Sequence, residues 1–292
     1  MKRSSAHWQC QNTPVELGNN TLLMGILNTT PDSFSDGGQH NTIPTAIQHA
    51  ETLIQHGADI IDIGGESTRP GAQPVAAEEE IQRTQPIIKT LRQKYPHQLI
   101  SIDTTKAPVA EAALNAGANI INDISALRHD PAMAPLAAQH RAGIVLMHMQ
   151  GTPQTMQQKP AYSNVVTDVY HHLQQQIETA LQAGIQRNAI VIDPGIGFGK
   201  TLEHNLELLR HLDHFTSLAP LLVGLSRKRF IGTLTQKENP AERLPGSLAA
   251  AAYALSKGAH ILRVHDVIET CDLCRIFDTL MEDEPNAMDG TV

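Results

Sequence analysis

The chain has 292 residues, enough for one large domain or two small ones, and 41% of them are hydrophobic, ample for a core. A formal charge of -8 without a long basic run argues against a nucleic-acid surface, and no apolar stretch reaches the ~20 residues of a membrane span. Three cysteines (Cys10, Cys271 and Cys274) are too few for a disulfide framework and suit a reducing cytoplasm. Cys271-x-x-Cys274 lacks the second pair that a zinc site needs. Met1-Lys2-Arg3 has no apolar stretch behind it, so no signal peptide is expected. With only 3% aromatics the core must be aliphatic, as in α/β proteins whose strands are wrapped by helices.

Residues 1–20 are weakly patterned and are read as a short hairpin covering one end of the fold. The first clear strand runs from Leu22 to Leu27 and ends at Asn28. A polar, turn-rich loop follows, Thr29 to Gly38, with an exposed-looking Phe34, the composition of a mobile active-site loop. A helix over roughly Pro44–Gln55 stops at Gly57. The second strand, Ala58 to Ile63, holds one acid, Asp62, and breaks at Gly64-Gly65 into Glu66-Ser67-Thr68-Arg69-Pro70-Gly71. A strand that ends in glycines and then presents a hydroxyl and a guanidinium suits an anion. A helix follows to about Lys94, and Glu78-Glu79-Glu80 in its first turn favour its N-terminal dipole.

The third strand, Leu99–Ile102, ends at Asp103, and a helix runs from near Pro108 to Gly117. The fourth, Asn119–Ile121, ends at Asn122-Asp123; the fifth, Gly143–Met147, ends at His148. A long helix covers about Val165–Ala183. The sixth strand, Ala189–Ile192, ends at Asp193-Pro194-Gly195, before a helix over Leu202–His211. The seventh, Pro220–Leu225, ends in Ser226-Arg227-Lys228-Arg229, and an Ala-rich helix spans Gly246–Ser256. The eighth, Ala259–Leu262, ends in Arg263-Val264-His265-Asp266. A last helix runs through Leu280, and the acidic tail 281–292 has the composition of a disordered segment.

Eight strands alternating with helices imply parallel pairing with helical crossovers, and in one chain of this length a closed (β/α)8 barrel, the TIM-barrel form of α/β architecture, as a single domain over residues 1–280. An open doubly wound sheet would need solvent-tolerant edge strands, and none is patterned that way. In such a barrel the active site lies at the C-terminal ends of the strands. Those ends read Asn28, Asp62, Asp103, Asn122, His148, Asp193, Lys228, Arg263 and His265. One buried polar residue is commonly structural. A whole rim of them is not, because each unpaired one costs roughly 1–3 kcal/mol.

The rim divides by chemistry. Asp103, Asn122 and Asp193 suit a flat heterocycle with several N–H donors. Arg69, Arg263, His265 and Lys228 suit a phosphate. Asn28 with its loop could give an oxygen to Mg2+, which leans on substrate phosphates. Gly195 to Thr201 looks like a phosphate-binding P-loop, but Pro194 stands where that motif needs glycine. Lys228 could form a Schiff base, though between two arginines and opposite acids it reads more simply as a ligand contact. His148 is open between a catalytic and a structural role, and most of the 15 histidines lie on helix faces and are read as surface residues.

At this point the sequence resembles the bacterial dihydropteroate synthase family. The resemblance rests on Met24–Gly38, Asp62–Gly71, Ser101–Asp103, Ile121–Ile124, Leu146–Gly151, Asp193–Lys200, Gly224–Lys228 and Arg263–Asp266, in the family's order and over nearly the whole chain. It implies that 4-aminobenzoate displaces diphosphate from 6-hydroxymethyl-7,8-dihydropterin diphosphate, giving 7,8-dihydropteroate for folate synthesis. Asp103, Asn122, Asp193 and Lys228 would hold the pterin, with Ile124, Met147 and Phe198 around its ring and Gly224 and Val264 lining the pocket. Arg263 and His265 would take the diphosphate and Asn28 would touch Mg2+, with Asp103, Lys228 and Arg263 carrying the chemistry. Phe34, Thr68, Arg69, Pro70 and Ser226 would form the 4-aminobenzoate pocket. The resemblance also implies a homodimer and inhibition by sulfonamides. A pterin-binding methyltransferase domain would not need the two long loops, and a non-catalytic pterin-binding paralogue would be expected to lose them.

Overall fold

The computed structural model describes residues 3–30, 42–68 and 71–281. Phe34, Arg69, Pro70 and the tail beyond Met281 lie outside the described residues. The elements are β1 (Ala6–Cys10), β2 (Thr13–Leu17), β3 (Leu22–Asn28), α1 (Thr42–Gln55), β4 (Ile60–Gly64), α2 (Ala77–Lys94), β5 (Leu99–Asp103), α3 (Ala107–Ala116), β6 (Ile120–Asp123) and α4 (Met133–His140). They continue with β7 (Gly143–Met147), α5 (Val165–Gln182), β8 (Ile190–Asp193), α6 (Leu202–Arg210), α7 (Leu212–Phe215), β9 (Leu222–Gly224), α8 (Arg229–Thr235), α9 (Leu244–Ser256), β10 (Ile261–Val264) and α10 (Val267–Met281).

Eight strands pair in parallel in the order β8-β7-β6-β5-β4-β3-β10-β9. The seam between β8 and β9 closes through one parallel bridge, Ile192 to Leu221, with Ile192 N–H donating to Pro220 O at 3.0 Å. The expected barrel is therefore present, thinnest at that seam. β1 and β2 form the expected hairpin. Among the described residues no helix is long and apolar enough to cross a membrane.

Helix ends follow local chemistry. α3 begins with Pro108 in its first turn and stops at Gly117, whose φ of 115° lies in the left-handed region that glycine tolerates. Asn164 caps α5 by accepting from Thr167 N–H at 3.0 Å. Three helices were not evident from sequence: α4, α7 and α8. Pro131 and Pro135 disguise α4, although proline is tolerated in a first helical turn. α7 has four residues and α8 seven, too short for a periodicity to register.

The pleat explains where the site lies. One apolar residue per strand (Met24, Ile60, Leu99, Ile120, Val145, Val191, Leu222 and Ile261) packs with Trp8, Cys10, Val15 and Leu17 of the hairpin. These form an apolar plug across one end of the barrel, and Trp8 Nε1–H donates to Ala189 O at 2.9 Å. Side chains alternate between faces along a strand, so the residues two places further on share the same inward face. Those are Ile26, Asp62, Ser101, Asn122, Met147, Asp193, Gly224 and Arg263. The opposite phase, including Ile61, Ile100, Ile121, Ile144, Ile192, Leu262 and Val264, packs against the helices.

Candidate active site

Arg263 rises from β10 between two carboxylates. Its Nε donates to Asp62 Oδ2 at 2.6 Å and its Nη2 to Asp103 Oδ2 at 2.7 Å. Asn122 Nδ2 donates to the same Asp62 oxygen at 3.1 Å. The sequence reading separated heterocycle acceptors from phosphate-binding cations. The structure joins them, because strands β4, β5, β6 and β10 deliver their residues to the same inward face of the barrel. Asp62 Oδ1 and Asp103 Oδ1 are buried and meet no hydrogen-bond donor among the described residues. Such acceptors suit a ligand that brings its own N–H groups.

Burial pushes the Asp103 carboxyl up to about 7; Arg263 opposes the rise, and Asp62, Glu80 and Asp123 add to it. Burial also raises Asp193, against the opposing charge of Lys228, and Asp193 Oδ1 accepts from Gly195 N–H at 2.7 Å. Lys228 is lowered to about 8 by burial, which Asp193 counters and Arg263 reinforces. Its Nζ donates to Ile196 O and lies 4.8 Å from the centroid of the Phe198 ring. Of the three consecutive basic residues, only Lys228 turns inward: Arg227 pairs with Asp266 at 3.0 Å through its Nε, and Arg229 is exposed. Gly224 lies between these two cations, a Cβ there standing 3.7 Å from Arg263 Cβ and 3.9 Å from Lys228 Nζ, which is ordinary contact.

An apolar wall borders the polar layer. Ile124, Met147, Met149 and Met156 cluster with Phe198 packed against them. Beside it opens a cavity of about 360 Å³ whose lining includes Thr68, Asp103, Ile124, Lys106 and Arg128. Ser226 and His265 stand together at the β9 and β10 ends, the Ser226 Oγ accepting from His265 N–H at 3.2 Å and lying 3.1 Å from His265 Nδ1. Val264 packs in the layer between strands and helices, so its side chain turns away from Arg263's inward face.

His148 is resolved as a brace. Its Nδ1 lies 2.9 Å from Lys200 Nζ, which also donates to Phe198 O at 2.9 Å. Burial holds His148 far below its ordinary value, with Lys200 and His172 adding to the effect, so it stays neutral and accepts. His260 is buried as well, an exception among histidines mostly read as surface residues. The glycine loop is a packing device: a Cβ on Gly195 would lie 1.8 Å from His148 O, and one on Gly199 2.5 Å from Gln150 O. The loop is pressed against the end of β7, and this agrees with setting a P-loop aside.

Sequence reasoning missed Lys106, which pairs with Glu66 at 2.5 Å and Glu80 at 2.6 Å. Glu80 was read as one of three dipole-facing acids, yet its side chain is 1% exposed. Its signal was faint, a helical spacing that puts Glu80 on the same face as Thr84 and Ile87. Asp62 was placed at the rim but left out of the binding set; a lone acid inside Ile60–Ile63 was the available signal.

Among the described residues no group of three His, Cys, Asp or Glu side chains is arranged to hold a metal. A hard cation carried on phosphates asks less of the protein. Asn28 Oδ1 and Asp103 Oδ2 both lie near Gly64, each 3.8 Å from where a Cβ there would stand, so Asn28 brings an amide oxygen, a hard donor of the kind Mg2+ takes, to the rim beside Asp103.

A parallel barrel whose inward rim combines buried carboxylates, an amide, a lysine and an arginine beside a methionine-rich wall defines a heterocycle-binding enzyme. Residues 24–265 match the family described as pterin binding enzyme, and the chain belongs to that family. Its place there is among the dihydropteroate synthases. The dihydropteroate synthase of Synechocystis sp. is 49% identical over 269 residues, covering 92% of this chain and 93% of the relative. That of Escherichia coli strain K12 is 47% identical over 277 residues, covering 94% and 97%. Xanthomonas albilineans dihydropteroate synthase, solved with 4-aminobenzoic acid, superposes with a TM-score of 0.89 at 43% identity over 96% of this chain and all of that one. The Yersinia pestis enzyme, solved as a sulfonamide drug complex, gives 0.87 at 44% identity over 94% and 98%.

Proposed function

We propose that this chain is a dihydropteroate synthase that condenses 4-aminobenzoate with (7,8-dihydropterin-6-yl)methyl diphosphate, giving 7,8-dihydropteroate and diphosphate. The observation that carries the reading is the buried Asp62–Arg263–Asp103 bridge with Asn122 beside it. It offers acceptors for an aminopyrimidine edge and a cation for a leaving anion at one place.

In this reading Asp103, Asn122, Asp193 and Lys228 hold the pterin edge. Ile124, Met147 and Phe198 flank the ring, Gly224 lies between Lys228 and Arg263, and Val264 contributes only backbone. Arg263 and His265, with Ser226, receive the diphosphate. Asn28 would hold Mg2+, which when bound supplies positive charge to the diphosphate oxygens. Phe34, Thr68, Arg69, Pro70 and Ser226 form the 4-aminobenzoate pocket, where sulfonamides compete.

The reaction breaks the bond between the pterin methylene and a diphosphate oxygen, which keeps the electron pair. Arg263 stabilises that growing charge. The methylene left behind is electron-poor and conjugated with the pterin, and the Asp103 carboxylate stabilises it. The amine nitrogen of 4-aminobenzoate then forms the new C–N bond and releases one proton to solvent. No strong general base is needed, in keeping with a neutral His148.

The same reading carries a cytoplasmic homodimer. Free cysteines suit a reducing compartment. Leu234 on α8, Tyr253 on α9 and Ile268, Ile276 and Leu280 on α10 are large apolar side chains left exposed, which suits a face for a second copy. The test is diphosphate release from pterin diphosphate and Mg2+ with and without 4-aminobenzoate. Release that depends on 4-aminobenzoate and yields dihydropteroate is expected; tight pterin binding without turnover would overturn the catalytic reading in favour of a binding paralogue.

A further inference from the structure

The loop after β4 leaves the barrel at Gly65 and rejoins it at Val75, just before α2. Glu66 ties these two stems together. Its Oε2 accepts from Val75 N–H at 2.8 Å, across nine residues, and from Lys106 Nζ at 2.5 Å. Lys106 follows Asp103 at the end of β5, and its second bond, 2.6 Å to Glu80, enters the first turn of α2. Arg83 adds a strut from the same helix, donating to Gly65 O at 2.8 Å. Gly65 sits so close to α2 that no side chain would fit there, since a Cβ would lie 2.7 Å from Glu80 Cγ. Both stems of the loop are thus fastened to the rim that carries Asp103, and between them stands Thr68. Farther along, Gly71 N–H donates to Pro153 O at 3.1 Å, so the loop also leans on the segment after β7.

We propose that Lys106 and Glu66 are positioning residues: their clasp sets the β4–α2 loop over the pterin layer and so determines the binding of the aromatic amine. The inference rests on the dihydropteroate synthase reading for its kinetic part only. The clasp is a charge-assisted pair in which each side chain is mostly shielded, with Lys106 17% and Glu66 23% exposed. Glu80 is 1% exposed and depends on Lys106 for its counter-charge. Removing the lysine strands that carboxylate and endangers folding. Glu66→Ala is therefore the primary variant, because it opens the clasp and leaves the Lys106–Glu80 pair intact. Lys106→Arg, which keeps a cation with several donors, is the conservative control.

Two measurements separate the clasp from the activity. In the ligand-free protein, amide exchange over residues 65–76 should accelerate about tenfold or more in Glu66→Ala and stay near wild type in Lys106→Arg, with β5 and β6 unchanged. In steady state, Glu66→Ala should raise the KM for 4-aminobenzoate about tenfold or more, a misplacement effect, with the KM for pterin diphosphate changing far less. Lys106→Arg, which keeps the clasp, should raise the KM for 4-aminobenzoate far less than Glu66→Ala does. Unchanged exchange over 65–76 would overturn the clasp, and an equal rise in both KM values would overturn its role in amine binding. Wild-type protein that exchanges as expected but makes no dihydropteroate would sink the functional reading while leaving the clasp supported.

Discussion

The two ends of the barrel use the same eight strands and differ by one step of the pleat. Below, Met24, Ile60, Leu99, Ile120, Val145, Val191, Leu222 and Ile261 meet Trp8 in a layer without charge. One step above stand Asp62, Asn122, Asp193 and Arg263, with Asp103 a step higher on β5. The lower layer gains from dispersion and area removed from water, and it tolerates no polar group without a partner. The upper layer places carboxylates where burial raises Asp103 and Asp193, and leaves Asp62 Oδ1 and Asp103 Oδ1 without a donor among the described residues. A fold can accept that cost at its rim because the plug below supplies stability independently. The comparison teaches that stability and binding are segregated along the barrel axis.

The largest expected effect tests the upper layer. Asp103→Asn should lower kcat/KM for pterin diphosphate by about 10³-fold or more, since an amide cannot replace a two-oxygen acceptor. Its thermal midpoint should hold, because a strained ionisation is removed; steady-state kinetics and calorimetry on the same sample check both. A collapse of the midpoint would mean that Asp103 is a structural residue after all.

The converse change tests the plug. Trp8→Ala should cost about 3–5 kcal/mol of stability, read from denaturant unfolding, while kcat at temperatures below its transition stays at wild-type level. Parallel loss of kcat would show that the layers are not independent.

The pH dependence sharpens the contrast further. kcat/KM should rise as Asp103 ionises near 7 and fall as Lys228 loses its proton near 8, a narrow bell. Arg263→Ala removes the charge that opposes the rise of Asp103, so the acid limb should move to higher pH. Stability has its own signs. Asp103 holds its proton in the folded state up to about 7 against an ordinary 3.8, so its contribution is full below 3.8 and lost as pH rises to 7. Lys228 sheds its proton near 8 against 10.5, so stability recovers between those values. An acid limb that stays put in Arg263→Ala would separate Arg263 from the titration of Asp103.

The smallest effect concerns alternation itself. Val264→Ala should cost about 1–3 kcal/mol in unfolding experiments and leave both KM values unchanged, although its neighbour Arg263 is central to the site. A change in pterin KM would place the side chain on the inward face.

Much of this was legible in one dimension. Strand positions follow from apolar runs a few residues long, and rim residues from where each run stops; both are local properties of the chain. Asn28, Asp103, Asn122, Asp193, Lys228 and Arg263 were found that way, and the two long loops carry enough unusual residues to point to the family. Other features were out of reach of local pattern. Two short helices, α7 and α8, lacked the length for a period, and proline hid a third, α4. The phase of Val264 depends on which face of β10 turns inward, a choice set by barrel closure.

Partnership is what only the tertiary structure decided. Arg263 and Asp62 are 201 residues apart in sequence and 2.6 Å apart in space. His148 and Lys200 are separated by 52 residues, and Lys106 and Glu66 by 40. A charged side chain in a sequence can be an anion receptor, a counter-ion or a clasp, and its chemistry is the same in each case. Which role it takes depends on the nearest opposite charge in a low-dielectric interior, where one contact outweighs all distant ones. Sequence therefore determined which groups reach the rim, and barrel closure determined which of them neutralise each other and which oxygens remain for a ligand.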